Sequence, residues 1–314
     1  MIKFPNTDLQ IFPLGLGGNT FGMTSSEAAS QVVLDAFVAR GGNFIDTADS
    51  YSAWVPGNKG GESETILGNW MQQRGNRSSV IIATKVAAHP QFMGLSPGNI
   101  ARAADASLAR LQTDYIDLYY AHHEDANVPI EQIAVAFDAL VKAGKVRHVA
   151  VSNLPPERIT AWMEFAGKEG LARPVALQPE YSLVARESYE RINGPLAAKH
   201  GLAVFPYFAL ASGFLSGKYR TQADIDGAAR GSLAGRYLNA DGLRIIQALE
   251  RIASSRDAAM STVALAWVAA KPTVTAPLAS ATSVAQLEQL MAIAEFKLAP
   301  EEVAALDAAS AAFA

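Results

Sequence analysis

Apolar residues along this chain gather into short, nearly unbroken runs, and after each run they recur every three to four positions. The runs are LGLGG (14–18), FIDTA (44–48), VIIATKV (80–86), IDLYYAH (116–122), HVAVSN (148–153), ALQPEY (176–181), AVFPYF (203–208) and TAPLAS (275–280). Short apolar runs without alternation predict strands covered on both faces, as in a parallel sheet. The periodic stretches predict helices near 26–40, 61–74, 97–112, 130–143, 156–169, 188–200, 242–256 and 261–270. Ser25 or Ser26 would cap the first of these and Gly41-Gly42 would stop it. Ahead of the first run, IKF and LQIF flank the turn residues Asn6-Thr7-Asp8 and predict a hairpin. Beyond the last run two more helices are expected, at 283–296 and 300–310.

Strand–helix units in this succession predict an α/β fold, a (β/α)8 TIM barrel with an N-terminal β-hairpin and extra C-terminal helices. Residues 1–314 read as a single domain. The runner-up is a doubly wound sheet, which normally carries a glycine-rich phosphate turn after its first strand. Gly15-Leu16-Gly17-Gly18-Asn19-Thr20 lacks the third glycine of that turn. One long interruption, 209–240, separates the seventh strand from its helix. It carries five glycines and several basic residues, as a lid or binding loop would.

Composition narrows the function classes. Half the residues are hydrophobic and 18% are charged, so a large core is expected and disorder is not. The net charge of −4, with no cluster of Lys and Arg, disfavours a nucleic-acid surface. The chain has no cysteine, which removes disulfides, thiolate metal sites and a cysteine nucleophile. No apolar run approaches membrane-spanning length and MIKFPNTDLQIF has no signal-like core, so a cytoplasmic location is expected without a membrane partner. The sequence leaves the oligomeric state open.

Polar residues stand at the C-terminal ends of the expected strands: Asp46, Lys85, His122, Ser152, Asn153, Gln178 and Tyr207. In a barrel those ends converge on the face where active sites form. Lys85 lies inside an apolar run and needs a counter-charge, for which Asp46 is the obvious partner. Tyr51 follows in the next loop. A lysine cation beside it would lower the phenol's pKa and make it a better acid near neutrality. His122 would orient the phenol or a carbonyl. The alternative is a structural ion pair with Tyr51 as a rim aromatic. His122-His123-Glu124-Asp125 has metal-ligand residue types, but adjacent histidines on a strand end should face opposite sides, and no metal is expected.

The segments LGLGGNTFG (14–22), FIDTADSY (44–51), GESETILG (61–68), IATK (82–85), DLYYAH (117–122), AGKVRHVAVSN (143–153), LQPEYS (177–182), LASGFLSGKY (210–219) and TAPLASATSVAQLEQL (275–290) make the chain resemble the aldo-keto reductase superfamily over nearly its whole length. The resemblance implies reduction of aldehydes or ketones with a nicotinamide cofactor, NADPH more often than NADH. Its catalytic tetrad falls on Asp46, Tyr51, Lys85 and His122, with Tyr51 as proton donor. It implies that Ser152, Asn153 and Gln178 bond the nicotinamide carboxamide, with Asp46 and the turn residues Gly18 and Asn19 nearby. Tyr207 would stack on the ring. The backbone from Phe208 through Leu210, Gly213 and Leu215 to Gly217 would wrap the pyrophosphate. Ser280, Ala281, Thr282, Gln286 and Gln289 would surround the adenosine. Phe21, Trp54 and Tyr181 are the expected walls of the substrate pocket. The departures fall at the cofactor: Phe208-Ala209 replaces a common Ser-Pro, and Thr282 stands where a cation often meets the 2′-phosphate. Beta subunits of voltage-gated potassium channels resemble the same family, so a regulatory or binding protein on this scaffold is the alternative. A Schiff-base enzyme using Lys85 is a third, opposed by Asp46, which should keep the lysine charged.

Overall fold

The computed structural model describes residues 1–228 and 230–314. A hairpin of β1 (Ile2–Lys3) and β2 (Gln10–Ile11) comes first. It is followed by β3 (Gly15–Gly17), α1 (Glu27–Ala39), β4 (Phe44–Asp46), α2 (Glu62–Arg74) and β5 (Ile81–Val86). A second hairpin, β6 (Ala88–His89) with β7 (Phe92–Met93), precedes α3 (Pro97–Leu111), β8 (Ile116–Ala121), α4 (Ile130–Lys142) and β9 (Val146–Ser152). Then come α5 (Pro156–Glu169), β10 (Pro174–Gln178), α6 (Gly194–His200) and β11 (Ala203–Val204). The last third holds α7 (Gln222–Ile225), α8 (Gly231–Gly235), α9 (Ala240–Ser255), α10 (Met260–Ala269), β12 (Leu278–Ala279), α11 (Val284–Met291) and α12 (Pro300–Ala309).

Eight strands make one parallel, curled sheet in the order β11-β10-β9-β8-β5-β4-β3-β12. Backbone bonds also run between the outermost strands' segments, from Thr275 N–H to the Val204 carbonyl and from Leu278 N–H to the Pro206 carbonyl. The three late strands are shorter than their apolar runs. Proline explains this, since it has no N–H for the ladder: β10 stops before Pro179, β11 before Pro206, and β12 starts after Pro277.

The core has two layers. Phe44, Ala83, Leu118, Ala150, Ala176, Ala203 and Phe205 pack on one sheet face, where Phe4, Leu9 and Ile11 of the first hairpin segment join them. The rings of Phe4 and Phe44 lie 5.0 and 4.8 Å from that of Phe205. A larger cluster fills the space between the other face and the helices. Helix ends follow local rules: Ser26 Oγ accepts from Ala29 N–H to start α1, Pro97 and Pro156 open α3 and α5, and Gly75 ends α2 at a positive φ of 60°. The 209–240 interruption carries structure of its own, a 3-10 segment over Ala211–Ser216 and the short α7 and α8. The β6–β7 hairpin is an element the hydrophobic pattern did not signal. Among the described residues no helix is long and apolar enough to cross a membrane.

Candidate active site

Side chains alternate between faces along a strand, so the residue two beyond an inner-face residue shares its face. That rule assembles the site. Two residues past Phe44 comes Asp46, past Ala83 comes Lys85, past Leu118 comes Tyr120, past Ala150 comes Ser152 and past Ala176 comes Gln178. Parallel register sets Asp46 beside Ala83, Lys85 beside Tyr120 and Gln178 beside Ser152. One end of the sheet's inner face thereby turns from apolar to polar.

Lys85 is fully buried, and its ammonium uses all three donors. It bonds Asp46 Oδ2 at 2.7 Å, the Thr47 carbonyl at 2.7 Å and the Tyr51 hydroxyl at 3.1 Å. Gln178 Nε2 donates to the other Asp46 oxygen at 2.8 Å. Tyr51 is held from both sides, since its hydroxyl also lies 3.4 Å from Asp46 Oδ2. The His122 ring centroid is 6.3 Å from that of Tyr51, and the His122 backbone N–H donates to the Val86 carbonyl, anchoring the residue to β5. His122 Nδ1 is buried without a hydrogen-bond partner among the described residues, as is the Tyr120 hydroxyl.

The electrostatics correct one expectation. Burial and the Asp46 carboxylate push the Tyr51 phenol well above its ordinary value, so the hydroxyl is a firmly held proton rather than a half-formed phenolate. Asp46 lies close enough to oppose phenolate charge and to offset the lysine field. Lys85 moves down from its ordinary value, because desolvation outweighs the pull of Asp46, the carboxylate that holds its ammonium in place. Burial, then Lys85, then His123 hold His122 well below the usual histidine range, leaving a neutral imidazole. His122 and His123 also do not face opposite sides. The strand ends at Ala121, and the two rings stack at 4.5 Å. Among the described residues no three His, Cys, Asp or Glu side chains form a metal-sized group.

The remaining expected residues fall into three places. Ser152 donates to the Gln178 carbonyl at 2.9 Å, and Asn153, at a left-handed φ of 55°, bonds Ser152 Oγ and the His122 carbonyl at 3.0 Å each. Tyr207 donates to Asn153 Oδ1 at 3.0 Å, and burial with Glu180 beside it pushes its phenol up to about 12. A cavity of about 600 Å³ adjoins Asn153 and Tyr207, lined also by Glu124, Leu154, Glu180 and Phe313. Next, the chain from Phe208 to Gly217 turns sharply, with positive φ at Phe208, Ala211, Ser212, Gly213 and Gly217; Leu210 and Leu215 lie within it. Its own backbone bonds hold this turn, from the Ala211, Gly213 and Gly217 N–H groups to the Phe208, Leu210 and Phe214 carbonyls, and concave turns of positive φ are a backbone form that suits phosphate oxygens. Burial lowers the Arg230 guanidinium against the pull of the Tyr219 and Tyr51 hydroxyls, and its Nη2 is buried without a partner among the described residues.

At the third place, Ser280 Oγ bonds Asn19 Oδ1 at 2.5 Å, and Gly18 accepts from Ser63 at 2.8 Å. Ala281 is buried. Thr282 N–H and Oγ1 both donate to Gln286 Oε1, at 3.0 and 3.1 Å, and the Gln289 carbonyl accepts from Thr262. Of the three expected pocket walls, Trp54 alone is exposed, 6.4 Å from the Tyr51 ring, with its N–H on Met23 Sδ. Phe21 is fully buried. Tyr181 is fully buried too: its hydroxyl donates to Glu190 and its ring packs on Tyr189 and Trp267, so it belongs to the core and walls no open pocket. Sequence reasoning missed the Thr47 carbonyl as a ligand of Lys85 and the Tyr120 hydroxyl beside it; strand alternation from Leu118 would have found the second.

Known proteins resemble this chain over nearly all of it. The sequence profile of the aldo/keto reductase family matches residues 13–311. The chain is similar to Protein tas of Escherichia coli K12, 32% identical across 98% of this chain and 96% of that protein. It is 31% identical to norsolorinic acid reductase B of Aspergillus parasiticus, across 96% of this chain and 82% of that protein. A probable voltage-gated potassium channel subunit beta of Arabidopsis thaliana is 32% identical across 87% of this chain and 84% of that protein.

Proposed function

This chain belongs to the aldo/keto reductase family, and on that footing we propose that it reduces aldehydes or ketones to alcohols with NADPH as hydride donor. One observation carries the reading: a single buried ammonium joins a carboxylate and a phenol that faces the mouth of the sheet. A purely structural ion pair has no need of the phenol, and the set contains no nucleophile–base pair. We further propose that the sheet closes into a (β/α)8 barrel spanning residues 1–314, on the strength of the bonds from Thr275 and Leu278 to Val204 and Pro206.

The residues present fit a nicotinamide dinucleotide. Ser152, Asn153 and Gln178 offer amide and hydroxyl partners to a carboxamide, Tyr207 an aromatic face, and the Phe208–Gly217 backbone a concavity for phosphates. Arg230 has a buried nitrogen without a partner among the described residues, as a cation awaiting an anion would. Ser280, Thr282, Gln286 and Gln289 offer hydroxyls and amides to an adenosine. Gly18 and Asn19 close that side. When bound, the cofactor supplies a hydride to the carbonyl carbon.

The chain's own groups do the rest. Tyr51 keeps its proton until a carbonyl oxygen gains charge beside it, then donates it. Lys85 opposes the negative charge left on the phenolic oxygen, and Asp46 with Gln178 fixes where the ammonium points. Neutral His122 presents a ring nitrogen to the same oxygen. Trp54, exposed beside Tyr51, gives the mouth an apolar wall that favours small carbonyl compounds.

Turnover of 4-nitrobenzaldehyde with NADPH tests the reading: steady cofactor oxidation is expected. No turnover across a broad aldehyde and ketone panel, with cofactor still bound, would favour the alternative of a regulatory protein like the channel beta subunits. We also propose a cytoplasmic location.

A further inference from the structure

A second set of ionisable groups lies against Lys85, and the chemistry above does not use it. Thr84, the residue before Lys85, donates to Glu64 Oε1 at 2.5 Å, and Arg110 Nε donates to Glu64 Oε2 at 2.7 Å. Glu64 is fully buried. Asp49 joins them: it is fully buried, and its N–H donates to the carbonyl of Lys85 itself at 3.3 Å. Neither Asp49 carboxyl oxygen has a hydrogen-bond partner among the described residues, and the neighbouring Tyr119 hydroxyl has none either.

The chain makes room for this arrangement. Gly60 and Gly61 both have positive φ, 97° and 83°. A Cβ at Gly60 would lie 2.6 Å from the His89 ring and 3.3 Å from the Asp49 carbonyl oxygen, and one at Gly61 would lie 2.4 Å from Arg110 Cδ. A side chain at Gly61 would therefore crowd Arg110, and one at Gly60 would crowd the His89 ring.

A carboxylate buried with no donor is strongly disfavoured unless a cation is free to meet it. Here the two nearby cations are committed, Arg110 to Glu64 and Lys85 to Asp46. We propose that Asp49 is a positioning residue for Lys85: a carboxylic acid held neutral, so that the lysine's charge stays available to the Tyr51 oxygen. The groups facing it agree from every side. Burial and then Glu64 on α2 drive the carboxyl well above its usual range, while Arg110 on α3, the Ser50 N–H, which approaches without meeting hydrogen-bond geometry, and Lys85 on β5 pull back less. On β8, Tyr119 is pushed up by burial and then by Asp49 and Glu64. On β6, burial and Arg110 lower His89, which leaves that ring neutral as well. Were Asp49 ionised, three carboxylates would surround two cations, and the excess negative charge would oppose the growing charge on Tyr51.

The catalytic half of this inference rests on the reductase reading; the protonation half does not. Infrared spectroscopy reads the second directly. The protein without added cofactor, at neutral pH, should show the C=O stretch of a protonated carboxylic acid, which fades at alkaline pH and is missing in Asp49→Asn. No such band in the wild type, or its full persistence in the variant, overturns the proposal. For the first half, kcat/KM for 4-nitrobenzaldehyde is compared at neutral and alkaline pH. Asn cannot ionise, so the alkaline-to-neutral ratio should rise at least about threefold in Asp49→Asn, or in Asp49→Ser should the amide disturb folding. A ratio equal to that of the wild type overturns the positioning role. A wild type that shows the band and reduces no carbonyl sinks the reductase reading and leaves the buried acid standing.

Discussion

The ring of groups around Lys85 and the segment from Ser280 to Gln289 both follow parallel strands, yet they are built by different means. Around Lys85 the residues that fix the ammonium's surroundings, Asp46 and Gln178, are strand residues two positions beyond a packed apolar side chain, and Tyr51 and His122 follow just past strand ends. Charges meet charges there, and the ammonium has no spare donor. Past β12 the strand has already ended. Thr282 and Gln286 satisfy one another on a half-exposed turn, and no cation lies between 280 and 290. Shifting a strand-borne residue by one place would send it to the other face. A residue on the turn can change with little consequence for its neighbours. On the proposed reading, the first region would fix the reaction and the second would adjust which cofactor serves it.

The hardest blow to that contrast is Lys85→Met. The apolar stem is kept, but Asp46 is left buried with Gln178 and the more distant Tyr51 hydroxyl as partners, and the cation that offsets negative charge on the Tyr51 oxygen is gone. A loss in kcat of at least about 10²–10⁴-fold is expected, with the alkaline limb of the pH–rate profile moved upward. An unchanged profile would make Lys85 a structural residue. Tyr51→Phe removes a single hydroxyl and should cost about 10²–10⁴-fold in kcat, with cofactor affinity close to normal. Single-turnover kinetics are needed to isolate the chemical step. Retention of more than about a tenth of wild-type kcat there would exclude the phenol as the acid. By contrast, Gln286→Ala should leave kcat within about threefold and act on cofactor affinity, as loss of one neutral hydrogen bond would.

The same contrast explains what could be read from the sequence. The strands, most helices and the meeting of Asp46 with Lys85 follow from runs and alternation, which are local. What failed was not local. The direction of the Tyr51 shift depends on a carboxylate and a lysine acting on one phenol, a balance that needs distances. Tyr181 lay in a motif beside Gln178, but its hydroxyl found Glu190 on the segment leading into α6. The stacking of His122 on His123 hinged on the strand ending one residue earlier than its apolar run. Asp49 was visible as the second carboxylate in DTADS, and only the fold reveals that its oxygens have no hydrogen-bond partner among the described residues.

His122 sharpens the comparison through stability. Burial, Lys85 and His123 lower its folded-state pKa, while the unfolded chain titrates near the ordinary histidine value of about 6.5. As pH falls below that value the unfolded state takes up a proton that the folded state refuses, so stability declines toward acid. The urea midpoint should drop between about pH 7 and pH 5, and His122→Gln should drop less. Equal declines in the two proteins would mean that other groups carry the acid sensitivity. No residue of the 280–290 turn is expected to change the slope.

The smallest effect concerns the turn itself. The 2′-phosphate that separates NADPH from NADH carries up to two negative charges, and charge-assisted bonds are roughly twice as strong as neutral ones. Thr282 and Gln286 can offer neutral bonds alone, and Glu288 nearby is paired with Arg40. The cations of the 209–240 segment are unequal candidates to help. Arg220 is held by Glu250, and Lys218 and Arg236 lie over the rings of Tyr219 and Tyr237. Arg230 has the buried unpartnered nitrogen, but it also feels Tyr51, which places it nearer the reacting end than the adenosine. NADPH should therefore win over NADH by a reduced margin, on the order of one to two powers of ten, or about 1.4–2.8 kcal/mol. Thr282→Arg puts a fixed cation on the turn and should widen that margin by about tenfold while leaving kcat with either cofactor little changed. The measurement is kcat/KM for both cofactors with one aldehyde, in the wild type and the variant. A wild type that prefers NADH would overturn the cofactor assignment. A variant indifferent to the change would place the phosphate away from this turn, and a variant whose kcat collapses would mean that the turn is coupled to the tetrad after all.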